Sequence, residues 1–250
     1  MAKTNFIELP GSERIPILYE DRSVMVIDKP SGWMLAPLGW HKTSRNLQAA
    51  LGASLLARDF WARSRNLNYL RFVHRLDAGT SGLLLLAKSP GALSVFSRLF
   101  EGRKMEKRYL AVVHGVPRQS AWTCQLKLAP VAGHPGKMKV EPTGGKEAET
   151  HFRLLQQGTG TALVEARPLT GRTHQIRVHL AATGHPVVGD DFYGKSPAKS
   201  NLALRAVVLS YLDPFTRRPV QIRAPSAEFV REYGFEMSEI EKGKDLRQKN

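Results

Sequence analysis

Short apolar runs separated by charged or Gly/Pro turns dominate the chain, and only a few stretches repeat at helical spacing. Ile15 to Tyr19 and Val24 to Ile27 read as two strands around the turn Glu20-Asp21-Arg22-Ser23. Leu83 to Ala87 is a continuous apolar run after Gly82, which suits a central strand covered on both faces. Arg108 to His114 and Ala121 to Leu128 read as further strands. Lys146 to Leu155 and Ala162 to Ala166 read as an antiparallel pair, and Leu202 to Leu209 with Pro219 to Ile222 close the sheet. Helical spacing marks Leu47 to Leu56, with Asn46 as its cap, and Ala92 to Phe100, ended near Gly102. A third helix runs from about His174 to Thr183, capped by Thr173 and bounded by Gly184 and Pro186; a fourth runs from Ser226 to Tyr233.

Strands dominate the middle without a strict strand–helix–strand rhythm, so the expected class is α+β with a mixed, largely antiparallel sheet and flanking helices. Residues 1–13 read as a loose leader, 14–235 as one domain and 236–250 as a charged tail. Trp33 to Ser44 reads as a loop, and the segment from Gly39 to Arg45 fits no pattern.

Charge narrows the partner. Against 22 acidic residues stand 37 Lys and Arg, a formal net charge of +15. Such an excess favours a polyanion through electrostatic attraction and counterion release. Nucleic acid is the commonest polyanion, and an anionic membrane surface is its rival. No stretch approaches the length of a transmembrane helix. The single cysteine, Cys124, excludes an intrachain disulfide and a paired-cysteine zinc site, and a reducing cytoplasm is the natural compartment.

Three constellations carry candidate chemistry. The first is His74-Arg75-Leu76-Asp77-Ala78-Gly79-Thr80-Ser81-Gly82 before the apolar strand. It puts a carboxylate, with an arginine two residues earlier, at the mouth of a rigid element. By itself, a loop aspartate before Gly-Thr-Ser-Gly reads as well as a turn residue. The second is Leu169-Thr170-Gly171-Arg172-Thr173-His174-Gln175-Ile176-Arg177, where Ile176 and Leu180 face the core and Arg177 turns away from them. His174 and His179 are five apart, a poor spacing for a shared metal, and no third ligand stands near. The third is Lys104-Met105-Glu106-Lys107-Arg108-Tyr109, a basic lead into an alternating strand.

Together these motifs resemble those of the RluA-type pseudouridine synthases, which isomerise uridine in RNA. Weaker likenesses extend the match over most of residues 15–225: Asp28-Lys29-Pro30-Ser31-Gly32, Gly145 to Thr150, and Gly184 to Gly194. The resemblance implies a bent sheet around a basic cleft, a redox-neutral reaction without cofactor or metal, and a monomer acting on rRNA or tRNA. It implies Asp77 as nucleophile, Arg177 as its ionic partner and Tyr109 as the residue that packs on the target uracil. Arg75 becomes the arginine that holds out the flipped nucleotide. His74, Thr80, Lys107, Arg108 and Arg172 become RNA-contacting residues, although His74 could equally cap its loop. Asp190, the one competing carboxylate, reads as structural. Departures exist: Ala78-Gly79 stands where more polar residues are usual, and no ribosomal-protein-like RNA-binding module is expected in residues 1–13. A non-catalytic RNA-binding protein that keeps the fold is the alternative.

Overall fold

The computed structural model describes residues 3–9, 14–35, 45–194 and 200–236. Most of the unplaced segment 39–45 and nearly all of the expected tail therefore lie outside the described residues. The chain divides into two compact units, each assembled from separated segments. The first comprises residues 1–107, 130–137 and 206–224; the second comprises 108–129, 138–205 and 225–250.

In the first unit the strands run β1 (Phe6–Glu8), β2 (Arg14–Glu20), β3 (Val24–Lys29), β4 (Arg71–Phe72) and β5 (Ser81–Ala87). β1 pairs antiparallel with β2, β2 with β3, β3 with β5, and β4 also with β5. Six of the seven residues of β5 are buried, as its unbroken apolar run requires. The helices are α1 (Leu47–Leu56), α2 (Phe60–Arg63) and α3 (Pro90–Glu101). Asn46 caps α1 as expected, accepting from Ala49 N at 3.1 Å. Ser89 does the same for α3, accepting from Ala92 N. Phe6–Glu8 corrects the reading of a loose leader over that stretch: Ile7 is fully buried and Leu9 is 2% exposed. Three residues are too few to show a period, so only the partner strand makes this one visible. Arg65 ties the stretch further by donating to Thr4 O and to Glu20 (2.7 Å), and Glu20 also holds Lys88 (2.8 Å).

Later in the chain come β6 (Glu106–His114), β7 (Ala121–Cys124), β8 (Leu128–Pro130), β9 (Met138–Val140), β10 (Thr150–Gln157) and β11 (Thr161–Pro168). In the second unit β6, β11, β10 and β7 follow one another in an antiparallel ladder. The expected strand from Ala121 to Leu128 breaks after Cys124, and Leu128 starts a separate short pair with β9. Helix α4 (Gln175–Ala182) buries Val178 against Leu128 and Ala148. β12 (Leu204–Leu212) and β13 (Pro219–Arg223) form a hairpin and belong mainly to the first unit, and α5 (Ala227–Glu232) follows in the second.

Thr173 is not the cap of α4. The capping position falls to His174, whose φ of 53° is left-handed and which makes no side-chain cap. The side chain of Gln175 instead fixes the turn that leads into the helix. Its Oε1 accepts from Arg172 N (3.0 Å) and Thr170 Oγ1 (2.6 Å), and its Nε2 donates to Glu149 O and Thr150 Oγ1 (both 2.9 Å). The Thr150 hydroxyl, having accepted, passes its own proton to His179 Nδ1 (3.0 Å), and His179 Nε2 donates to Leu126 O (3.0 Å). This chain fixes a neutral imidazole, and burial lowers the His179 pKa against the pull of the Leu126 carbonyl. His74 is likewise built into its unit. Its Nε2 accepts the N–H of Leu85, and its ring stacks on Phe100 at 4.6 Å. Burial pushes its pKa down to about 3, and the nearby Lys107 charge adds to the effect.

Gly82 needs its missing side chain. At φ 104°, a Cβ there would lie 2.1 Å from Ala206 O. Gly82→Ala should therefore yield protein that is insoluble or unfolded at 37 °C, and normal expression with an unchanged Tm would refute the close approach of β5 and β12. The two buried imidazoles predict acid lability with a definite onset. Both folded pKa values lie below the ordinary histidine value, so below about pH 6.5 the unfolded chain binds more protons than the folded one. Their contribution is complete above that pH and falls away toward pH 3. The half-buried carboxylate Glu20, held against its burial below the ordinary range by Lys88 and Arg65, adds its own loss only near 4.5 and below. Tm should accordingly drop between about pH 7.5 and pH 5; a flat profile would mean that these rings carry charge in the folded state.

Candidate active site

The turn after Leu76 is held from below by a lysine. Lys29 ends β3, is fully buried, and donates from Nζ to the carbonyls of Thr80 (2.8 Å), Ala78 (2.9 Å) and Pro30 (3.0 Å). Three acceptors match the three protons of an ammonium. The Ala78 carbonyl also takes Gly32 N (2.8 Å), the Gly79 carbonyl takes Ser31 Oγ (2.8 Å), and the Asp77 carbonyl takes Thr80 N (3.1 Å). Every carbonyl from Asp77 to Thr80 is thus engaged, so the backbone that carries the carboxylate has little freedom. Burial pulls the Lys29 pKa down to about 8, while the Asp77 carboxylate acts to raise it. The carboxylate and the buried ammonium are therefore within electrostatic reach of each other.

The flanking residues divide. Arg75 is exposed and Leu76 is buried, which anchors the loop while presenting the guanidinium outward. His74 takes the capping role of its two alternatives, since its Nε2 is bonded to Leu85 N. Thr80, expected as an RNA contact, is 2% exposed, and burial leaves it almost no surface for that contact. Lys107, at the start of β6, has its pKa lowered by burial.

In the second unit, Tyr109 lies on β6 opposite Ala166 of β11 and is 8% exposed. Arg177 projects from α4 and is paired with Asp190. Nε donates to Oδ2 at 2.8 Å and Nη2 to Oδ1 at 2.7 Å, with both residues buried. This bidentate pair is charge-assisted and directional. Asp190 also accepts the N–H groups of Phe192 and Tyr193 at 3.0 Å each, which closes the turn after Gly189. Asp190 is thus structural, as expected, and in addition it orients Arg177. Asp77 and Arg177 belong to different units. Arg172 places its Nε on Glu147 O at 2.9 Å and is half-buried.

Sequence reasoning left Lys29 without a role, and it did not see that Asp190 clamps Arg177. The signal for Lys29 was a charged residue ending the apolar strand Val24-Met25-Val26-Ile27 immediately before proline. Among the described residues, no group of three or more His, Cys, Asp or Glu could hold a metal ion, and no helix is long and apolar enough to cross a membrane.

Comparison with known proteins bears on what this arrangement does. Residues 23–182 match the RNA pseudouridylate synthase family. The dual-specificity RNA pseudouridine synthase RluA of Escherichia coli (strain K12) is 33% identical over 223 residues, covering 87% of this chain and 95% of that protein. The ribosomal large subunit pseudouridine synthase C of Vibrio vulnificus is 34% identical over 222 residues, 85% of this chain and 66% of that protein. Among solved structures, the human RNA pseudouridylate synthase domain containing 1 superposes with a TM-score of 0.67 at 30% identity, over 86% of this chain and 85% of that one. Their mixed, mostly antiparallel sheet with flanking helices is the fold seen here. Since the matched stretch includes the Lys29 clamp, the Asp77 turn, Tyr109 and Arg177, the chain belongs to the RNA pseudouridylate synthase family.

Proposed function

We propose that this protein is an RluA-type enzyme that converts one or more uridines of rRNA or tRNA to pseudouridine, with Asp77 as nucleophile. The observation that carries the reading is the Asp77 turn, with each backbone carbonyl bonded and a buried ammonium behind it. A catalytic carboxylate must be held in place and kept ionised where water is excluded, and a fixed cation nearby serves both needs. The named activities of the E. coli and Vibrio relatives, on RNA and on the large ribosomal subunit, support the substrate class. A single cysteine fits a reducing cytoplasm.

The reaction is an isomerisation. The N1–C1′ bond of uridine breaks, the uracil turns, C5 bonds to C1′, and the C5 proton leaves while N1 regains one. No electrons enter or leave, so no redox cofactor is called for. Asp77 is the covalent catalyst for the detached sugar or base. Tyr109 packs on the uracil and takes part in removing the C5 proton. Arg75, exposed beside the turn, fills the gap in the RNA stack left by the flipped nucleotide. By the family resemblance, Arg177 is assigned the compensation of the Asp77 charge. Arg172, Lys107 and Arg108 contact phosphate.

Asp77→Asn should bring tritium release from uracil-labelled RNA down by roughly a thousandfold or more, since an amide is a far weaker nucleophile. RNA affinity should not fall, because the change removes a negative charge from a polyanion's site. Turnover within tenfold of wild type would end the assignment, and a non-catalytic binder would show none in either protein. Arg177 calls for two variants. Arg177→Ala strands the buried Asp190 carboxylate and should cost about 3–5 kcal/mol of stability by chemical denaturation. Arg177→Lys keeps the charge and loses the fork, so it should stay folded while single-turnover rate falls further than affinity. Normal turnover by folded Arg177→Lys on saturating RNA would leave Arg177 with a structural role only.

A further inference from the structure

A different feature of the second unit is unused by this chemistry. Phe192 is 45% exposed, yet it is fixed on all its inner contacts. Its N–H is bonded to Asp190 Oδ1. Its ring stacks on His174, with centroids 5.4 Å apart and planes at 30°, and the Arg177 Cζ lies 5.5 Å from its centroid. His174 and Arg177 are one turn apart at the start of α4, so both reach Phe192 from the helix side. His174 is itself immobilised: its backbone sits at φ 53°, and Nδ1 is 2.9 Å from the Tyr193 hydroxyl, which also accepts Met138 N. A lone exposed apolar side chain is unremarkable on any surface. Among the described exposed hydrophobics, however, only Phe192 combines a stacked imidazole with a guanidinium over its ring.

We propose that Phe192, backed by His174, is a stacking platform for an unpaired base of the RNA substrate. The inference rests on the proposed function for the presence of that RNA. A rigid aromatic face, open on one side in a chain of net charge +15, suits a ligand that is flat, apolar on its face and anionic at its edge. A nucleotide has all three properties. An apolar protein segment or a lipid tail would bring no negative charge to complement that excess. Base stacking is tolerant of sequence because every base has a π-face. The platform therefore supplies grip and registers the strand, leaving the choice of uridine to other contacts. Asp190 then serves twice: one carboxylate fixes the Arg177 guanidinium and the Phe192 backbone, so the platform and the arginine hold a constant spacing.

The test compares binding of a fluorescein-labelled oligouridylate with binding of an abasic oligomer of equal length, which has the same phosphates and no bases. Wild type should prefer the oligouridylate. Phe192→Leu keeps the apolar bulk and loses the π-face, and should lose that preference by roughly fivefold or more. Phe192→Trp should retain it, and binding of the abasic oligomer should be the same in all three proteins, with the same salt slope. Equal preference in wild type and Phe192→Leu would overturn the platform, as would a matching loss on the abasic oligomer. If Phe192→Leu melts early, the Phe192→Trp variant decides: loss of the preference there overturns the proposal. Pseudouridine formation by wild type is read alongside, so absence of turnover counts against the proposed function while base-dependent binding still reports on Phe192.

Discussion

An ammonium group sealed from water has to place its three protons, and Lys29 gives two of them to one short stretch of backbone. Two of its acceptors, the carbonyls of Ala78 and Thr80, lie in the turn that follows Asp77, and the third belongs to its own neighbour Pro30. A buried lysine is costly unless each donor is matched, so the turn and the lysine determine each other. If the turn opened, it would strand a charge; if the lysine were lost, the Thr80 carbonyl would lose its ammonium donor and the Ala78 carbonyl would keep only Gly32 N. The candidate nucleophile inherits its position from this mutual constraint. β3 and β5 supply the frame, since Lys29 pairs in register with Gly82 at the end where both strands meet the loop.

The second unit applies the same logic with opposite sign. There a buried carboxylate, Asp190, is matched by the Arg177 fork and by two backbone N–H groups, and this closes its own loop. In both units a loop with candidate chemistry is fixed by a single buried ion, Lys29 through three carbonyls and Asp190 through two N–H groups and the Arg177 fork. Rigid loops of this kind suit chemistry that depends on placing groups within tenths of an ångström.

The sequence made part of this readable. β5 was plain because five successive apolar residues after a glycine can only be a covered strand, and α1 because asparagine precedes its first periodic leucine. The residues of the candidate site stood in three compact motifs, so their identity could be read although their contacts could not. What stayed hidden depends on tertiary pairing. Lys29 reads as an ordinary charged strand end until carbonyls from a distant loop reach it. Thr173 looked like a cap because the chain's left-handed step at His174 and the substitute bonding by Gln175 leave no trace in local propensity. Thr80 looked polar and available, while the fold turned it inward. β1 is too short to have any pattern of its own.

The interleaving of the two units has a consequence for how the chain is made. The first unit contains residues near the start of the chain together with residues 206–224. Gly82 sits against Ala206, and β12 lies beside β5. During synthesis the strand that carries the Asp77 turn therefore emerges long before the neighbour that covers it. The whole Tyr109 strand, the β10–β11 hairpin and α4 must be translated in between. Until β12 arrives, the leucines of β5 are an exposed apolar edge, the kind of surface on which nascent chains associate. Closure of the first unit is then a late event governed by distant contacts, which makes folding slow relative to a chain of equal length with local pairings. The Asp77 turn would take its final form only once most of the protein has left the ribosome.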